Sequence, residues 1–230
     1  MKRNDMISEK TDTIKGILLG LLAIVAIVVV SVLVTQTIPQ ENSIPKDQIF
    51  TVTPTDHVIG NAHAPVTLYE FADLQCPSCA AYYPIIKELS NSYTDKVRVV
   101  FRHFPLRTLH KNALSAAYAA EAASNQGKFW EMIELLYARQ DEWSATTDFG
   151  SKARGYARDL GLNAERFVAD MNSQGVKDRV AHDEKEAASL ALRGTPSFFL
   201  NGNPLSIPFT LEELKSYIDD LNKPKNQNAQ

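Results

Sequence analysis

Cysteine is scarce in this chain: its 230 residues include two, Cys76 and Cys79. A disulfide closing so short a loop removes almost no chain entropy, which makes it at best a marginal staple. Structural zinc is short of donors, because one cysteine pair supplies two of four ligands. The five histidines (His57, His63, His103, His110, His182) show no paired His-x3–5-His spacing to supply the rest. Basic excess is also absent. The net charge of −3 gives no sign of a nucleic-acid-binding face. Ten glycines and 44% apolar residues exclude a collagen-like or wholly disordered chain. No repeat of solenoid length is visible.

One long apolar run is present. Residues 16 to 34 read GILLGLLAIVAIVVVSVLV, without a charge and with Ser31 as the one polar residue. As a helix this is about the thickness of a hydrocarbon core. Lys2, Arg3, Lys10 and Lys15 precede it, whereas Lys46 is the one basic residue in the twenty that follow. The charge bias places residues 1–15 in the cytoplasm, a transmembrane anchor at 16–35 and the remainder outside. A cleaved signal peptide is the alternative, but the run exceeds a typical signal's apolar region and VLVTQTIPQ offers no Ala-x-Ala site. Either route delivers the chain to a compartment where disulfides persist.

Residues 36–55, polar and holding three prolines, read as a spacer, and 222–230 as a polar tail. Between them VTLYEF (66–71) reads as a buried strand, 77–93 as a helix, and VRVVFRHF (97–104) as a second strand. Helical periods then fill an insert of about 108–192, with Asn163 as a candidate cap. Within this stretch HDEKE (182–186) reads as a solvated face, Trp130 and Trp143 as core or subdomain-edge aromatics, and His103 as a strand or loop residue. The chain returns to β with SFFL (197–200), an Asn201-Gly202 turn and NPLSI (203–207). A last helix starts at Thr210, with Glu213 three residues on, and runs to Leu221. The expected class is α/β: β-α-β, a helical insert, then β-β-α.

Cys76 stands where strand hands over to helix, with Pro77 suited to the first helical turn. Helix N–H groups and the dipole favour a thiolate there. Cys79, one turn further in, should be more buried. One exposed nucleophile and one resolving partner is what thiol–disulfide exchange needs.

The segment GNAHAPVTLYEFADLQCPSCAAYYP resembles the opening of a DsbA-like thiol–disulfide oxidoreductase, a thioredoxin fold with a helical insert, over about residues 56–221. The resemblance makes Cys76 and Cys79 the active-site pair and Glu70 the buried acid that relays protons to the second cysteine. It makes Pro84 the proline that kinks the active-site helix. It implies that Thr195-Pro196, within RGTPSFFLNG, forms a loop whose proline is cis, faces the pair and presents backbone to an extended peptide substrate. The best-known members of that family place His where this chain has Ser78, so the thiolate should be less favoured and the pair a milder oxidant.

Together these readings predict a membrane-anchored, monomeric oxidase that introduces disulfides into exported proteins. It would be recharged by a membrane partner, by family analogy a quinone-coupled thiol oxidase, with no diffusible cofactor or metal implied. A tethered reductase or isomerase served by an electron-donating partner is the nearest alternative, and a non-catalytic chaperone or binding module the next.

Overall fold

A computed structural model describes residues 20–29 and 44–223. The chain divides into two units, 1–42 and 43–230. In the first, residues 20–29 are helical with their apolar side chains exposed. The rest of the expected 16–35 span lies outside the described residues, as do 1–15, 36–43 and 224–230. No helix among the described residues is long and apolar enough to cross a membrane.

The second unit holds a five-stranded sheet of order β1-β3-β2-β4-β5. Its strands are β1 (His57–Gly60), β2 (Val66–Ala72), β3 (Val97–His103), β4 (Ser197–Leu200) and β5 (Asn203–Leu205). The β2–β3 pair is parallel and every other pair antiparallel. The β2–β3 crossover is α2 (Pro77–Ser92), which follows a short α1 (Lys46–Ile49). The insert comprises α3 (Ala113–Ser124), α4 (Phe129–Ala138), α5 (Gln140–Trp143), α6 (Phe149–Asp159), α7 (Ala164–Asn172) and α8 (Gln174–Ser189); α9 (Leu211–Asn222) closes the fold.

Alternation along β2 sorts the core into two faces. Val66 and Leu68 pack with Ile86 and Leu89 of α2 and with Leu214 and Ile218 of α9. Tyr69 and Phe71 point the other way, against Val100, Phe199, Ala187 of α8 and Ile49. Glu70 shares the parity of Leu68 and therefore faces α2. The insert has its own core, built on Met132, Leu136, Trp143 and Phe167, which reaches back to Phe101, Cys76 and Cys79.

Local signals placed the boundaries well. The Asn163 side chain accepts the Arg166 N–H at 2.8 Å. Thr210 and Glu213 form a reciprocal capping box. Asn201 and Gly202 both take positive φ, as a tight hairpin turn requires. A Cβ on Gly202 would come within 3.1 Å of the Phe50 ring.

Three expectations need correction. Residues 44–55, expected as spacer, pack on the sheet: Ile49 is fully buried, the Phe50 carbonyl accepts from the Tyr69 hydroxyl, and the Ile44 N–H donates to Ser189 Oγ at 2.9 Å. The chain also gains an edge strand, β1, before the expected first strand. The HDEKE stretch is not uniformly solvated, because Asp183 and Glu186 are buried around Arg102. That guanidinium forms a two-armed pair with Asp56, stands 2.9 Å from Glu186 through Nε and 4.0 Å from Asp183. Trp143, fully buried, donates Nε1–H to the Leu136 carbonyl at 2.8 Å and belongs to the insert core.

Candidate active site

Cys76 is the N-cap residue of α2, and Pro77 opens the helix at no cost in hydrogen bonds because the first turn lacks acceptors. The β2–α2 turn is held from several sides. Asp73, buried, accepts the N–H groups of Gln75 and Leu106 and stands 2.7 Å from His110 Nδ1. Gln140 Nε2 donates to the carbonyls of Leu74 and Cys76 at 2.9 and 3.2 Å. These groups fix the end of β2, so the first turn of α2 presents its N–H groups at a set place.

Both cysteines are free thiols. Cys79 is fully buried, and Cys76 keeps 7% of its surface, so the expected exposed nucleophile is a rim residue instead. The cover comes from the Thr195-Pro196 loop, whose peptide bond is cis. As a thiol, Cys76 donates to the Thr195 carbonyl at 3.4 Å. As a thiolate, it is held chiefly by the Cys79 S–H, then by the Thr195 side chain and the N–H groups of Cys79 and Ser78; together they outweigh burial and bring its pKa down to about 5. The uncharged Ser78 therefore contributes through its backbone, a role blind to side-chain charge. Burial pushes the Cys79 thiol the other way, far up, and the neighbouring Cys76 and Glu70 add to it. The two thiols have opposite assignments: one ionised at the rim beneath the Thr195-Pro196 loop, one protonated and enclosed.

Glu70 lies beneath them, 3% exposed, and burial alone lifts its carboxyl to about 8. Its ladder partners are apolar, Phe101 on β3 and Phe198 on β4. The structure thus brings together Cys76, Cys79, Pro77, Ser78, Glu70, Thr195 and Pro196, while Pro84 lies inside α2. Sequence reasoning did not single out Asp73, Gln140 or Tyr137. Asp73 carried a faint signal, an acid placed between an apolar strand and the cysteine turn. Gln140 and Tyr137 carried none, since they meet the site from a separate subdomain.

The loop flanking Pro196 opens into a cleft of about 530 Å³ lined by Gly194, Thr195, Pro196, Phe199, Pro204 and Ile207, among others. It offers backbone and apolar surface beside Cys76. Away from the pair, His57 and His103 each place Nε2 on one oxygen of Glu121, at 2.8 and 3.0 Å. Burial works against that carboxylate, but the two imidazoles prevail and hold it well below the usual range.

Comparison with known proteins agrees with this geometry. The solved thioredoxin-like oxidoreductase of Silicibacter pomeroyi DSS-3 superposes with a TM-score of 0.67 at 28% identity, over 79% of this chain and 99% of that one. Pseudomonas aeruginosa DsbA2 follows at 0.58 and 26%, over 77% and 100%. The alpha-DsbA1 of Wolbachia pipientis has a TM-score of 0.69 over 77% and 96%; at 23% identity that likeness is one of fold. Among curated sequences, 163 residues match the Na(+)/H(+) antiporter NhaA 3 of Salinispora tropica at 41% identity, covering 71% of this chain and 24% of that protein. NhaA 1 of Mycolicibacterium gilvum matches at 40% over 64% and 23%. The chain spans about a quarter of the length of these curated relatives. The family model described as thioredoxin matches residues 52–220, from the turn before β1 to the last turns of α9, and the chain belongs to that family.

Proposed function

We propose that the protein is a thiol–disulfide oxidoreductase of DsbA type working as an oxidase on exported proteins. The observation that carries the reading is the Cys76 thiol, brought to about 5 at the α2 N-terminus while Cys79 stays protonated beside it. That value lies between the roughly 7 of thioredoxin and the roughly 3.5 of DsbA, which supports a stabilised reduced form and the oxidising direction.

In the oxidised form a substrate thiolate attacks Cys76 Sγ; the Cys76–Cys79 bond breaks and its electron pair leaves on Cys79, which takes up a proton. A second substrate thiolate then attacks the mixed disulfide and expels Cys76 as its stabilised thiolate. Thr195-Pro196 and the cleft beside them seat an extended peptide during both steps. Glu70 handles the proton of Cys79.

We place the domain outside the cytoplasm, held by the apolar segment at 16–35, where it acts as a monomer and is reoxidised by a membrane thiol oxidase. The uncharged nineteen-residue run, the basic residues before it and the exposed apolar side chains of 20–29 support that placement. Antiport is not part of the proposal, because the chain spans about a quarter of the relatives so named. The test is the reduction potential of the Cys76–Cys79 pair in glutathione buffers. A value well above thioredoxin's supports the oxidase; one at or below it assigns the chain to the tethered reductase. A Cys76→Ser protein that keeps full cellular function would rule out both.

A further inference from the structure

Glu70 has a proton to exchange and no polar neighbour in the sheet through which to exchange it. Its Oε1 is buried without a hydrogen-bond partner among the described residues. Two other unpartnered oxygens belong to the same neighbourhood: the hydroxyl of Thr195 in the loop over Cys76, free while Cys76 is a thiol, and that of Tyr137 on α4. Tyr137 is 7% exposed, packs in the core cluster that includes Cys76, Cys79 and Phe101, and holds its ring 5.2 Å from that of Tyr83 on α2. Burial raises its phenol well above the ordinary value, and the charges of Cys79 and Glu70 add to the rise, which places the hydroxyl within electrostatic reach of both.

Tyr137 also has an outer side. It lines a cleft of about 290 Å³ between α2 and α4, together with Ala80, Tyr83, Pro84, Lys87 and Glu134. Pro84 has no N–H to give the Ala80 carbonyl one turn back, so the helix leaves an acceptor free at the cleft wall. The Lys87–Glu134 pair, 2.5 Å apart and about half-exposed, stands on the same cleft. The cleft is open, so solvent reaches the carbonyl, the phenols and the ion pair along its wall. One turn of α2 thus separates Cys79 from a cleft open to solvent, and Tyr137 borders both.

We propose that Tyr137 is a proton-positioning residue that connects Glu70 and Cys79 to the cleft between α2 and α4. The proposal rests on the thiol-exchange reading of the site. When the Cys76–Cys79 bond breaks, its electron pair stays on Cys79 Sγ, and the Glu70 carboxyl gives that sulfur its proton. The resulting carboxylate is reprotonated through water by the Tyr137 hydroxyl, which in the same motion accepts a proton from water in the cleft. In reverse, the Cys79 thiol gives its proton to the Glu70 carboxylate as its sulfur attacks the mixed disulfide on Cys76, and that proton leaves by the same route. The charged or titratable groups facing this path are Cys76, Cys79, Tyr83 and Lys87 from α2 and its cap, Asp73 from the turn, and Glu131 and Glu134 from α4. None but Tyr137 combines a buried, unpartnered hydroxyl with a place on the cleft.

The experiment uses the reduced full-length protein in detergent, with glutathione disulfide as oxidant. Stopped-flow measurement follows the second step, in which Cys79 attacks the Cys76–glutathione mixed disulfide, from pH 5 to 10. In the wild type the rate rises through an inflexion near 8, where Glu70 becomes a base. Tyr137→Phe is expected to lower the plateau at least tenfold, a smaller loss than the roughly hundredfold or more typical of removing an acid–base group itself. Alkylation of Cys76 by iodoacetamide, which needs no proton from Glu70, should keep its wild-type rate and midpoint. A Tyr137→Phe profile that superimposes on the wild type at every pH overturns the proposal and leaves the exchange reading intact. A variant whose alkylation falls in step with the plateau overturns it as well, because the tyrosine is then structural. Should Tyr137→Phe fail to fold, 3-fluorotyrosine at the same position keeps the hydroxyl and lowers its pKa; an altered profile supports the relay and an unaltered one refutes it. A wild type that neither exchanges with glutathione disulfide nor alkylates at Cys76 refutes the underlying reading itself.

Discussion

Phe101 stands directly opposite Glu70 in the parallel β2–β3 ladder, so the buried carboxyl faces a ring instead of a cation. Raised to about 8 from its usual 4.5, Glu70 keeps its proton when folded and loses it when unfolded over that interval. Such a group costs nothing below the unfolded pKa; its destabilisation grows as pH rises and is complete above the folded pKa. Glu70→Gln removes the ionisation. The variant should gain on the wild type between pH 4.5 and 8, by up to roughly 5 kcal/mol at pH 9. Urea melts of both proteins at pH 5 and pH 9 check this, and a constant difference between them would sink the burial argument.

The Cys76 thiolate carries a second prediction. Thiolate absorbance at 240 nm, or the rate of iodoacetamide labelling, should titrate with a midpoint near pH 5. Because the folded pKa is depressed, the stabilisation of the reduced form is present above the unfolded thiol's pKa and is lost as pH falls through about 5. Reduced protein should therefore melt above oxidised protein at pH 7, and the gap should close below pH 5. Calorimetry of the two forms reads this directly.

A third prediction concerns direction. Thioredoxin's potential is about −270 mV and DsbA's about −120 mV. A first cysteine intermediate in acidity should give an intermediate potential. Replacing Ser78 with His adds a cation beside the thiolate and should raise the potential further, whereas Ser78→Ala should leave it nearly unchanged, since Ser78 acts through its N–H. A large fall in Ser78→Ala would assign the effect to the hydroxyl.

Arg102 gives the fourth. Removing one member of a buried ion cluster strands the charges that remain, at about 3–5 kcal/mol. Arg102→Met should lower stability by that order, because Asp56 and Glu186 lose their nearest counter-charge, while Asp183 keeps Arg179 at 2.6 Å. Pairing it with Asp56→Asn should recover part of the loss. Denaturant midpoints of the single and double variants measure the coupling.

Local chemistry made much of this fold legible before any coordinates. Asn201-Gly202, the Thr210–Glu213 box and the Asn163 cap are signals read within four residues, and each appears where the sequence placed it. Non-local burial was not legible in the same way. Asp183 and Glu186 sit in a run of charges that looks solvated until Arg102, some eighty residues earlier, is brought over them. His57–Gly60 is too short to show alternation, and Ile49 sits in a polar, proline-rich stretch, so neither announced that it would pack on the sheet. At the site, Cys76 and Cys79 were readable from their spacing at a strand-to-helix turn, whereas the role of Glu70 came from the family resemblance alone. Tyr137 was not readable, because on α4 it continues an apolar stripe and differs from its neighbours by one oxygen.

The outer edge strands have a consequence for handling the protein. β5 is three residues long and its central Pro204 has no N–H to offer, while β1, on the opposite margin, runs four residues and ends at Gly60 with φ at +98°. A neighbouring molecule seeking to extend the sheet finds a broken template on one side and a very short one on the other. Concentrated stocks of the domain should stay dispersed, without seeding fibrils.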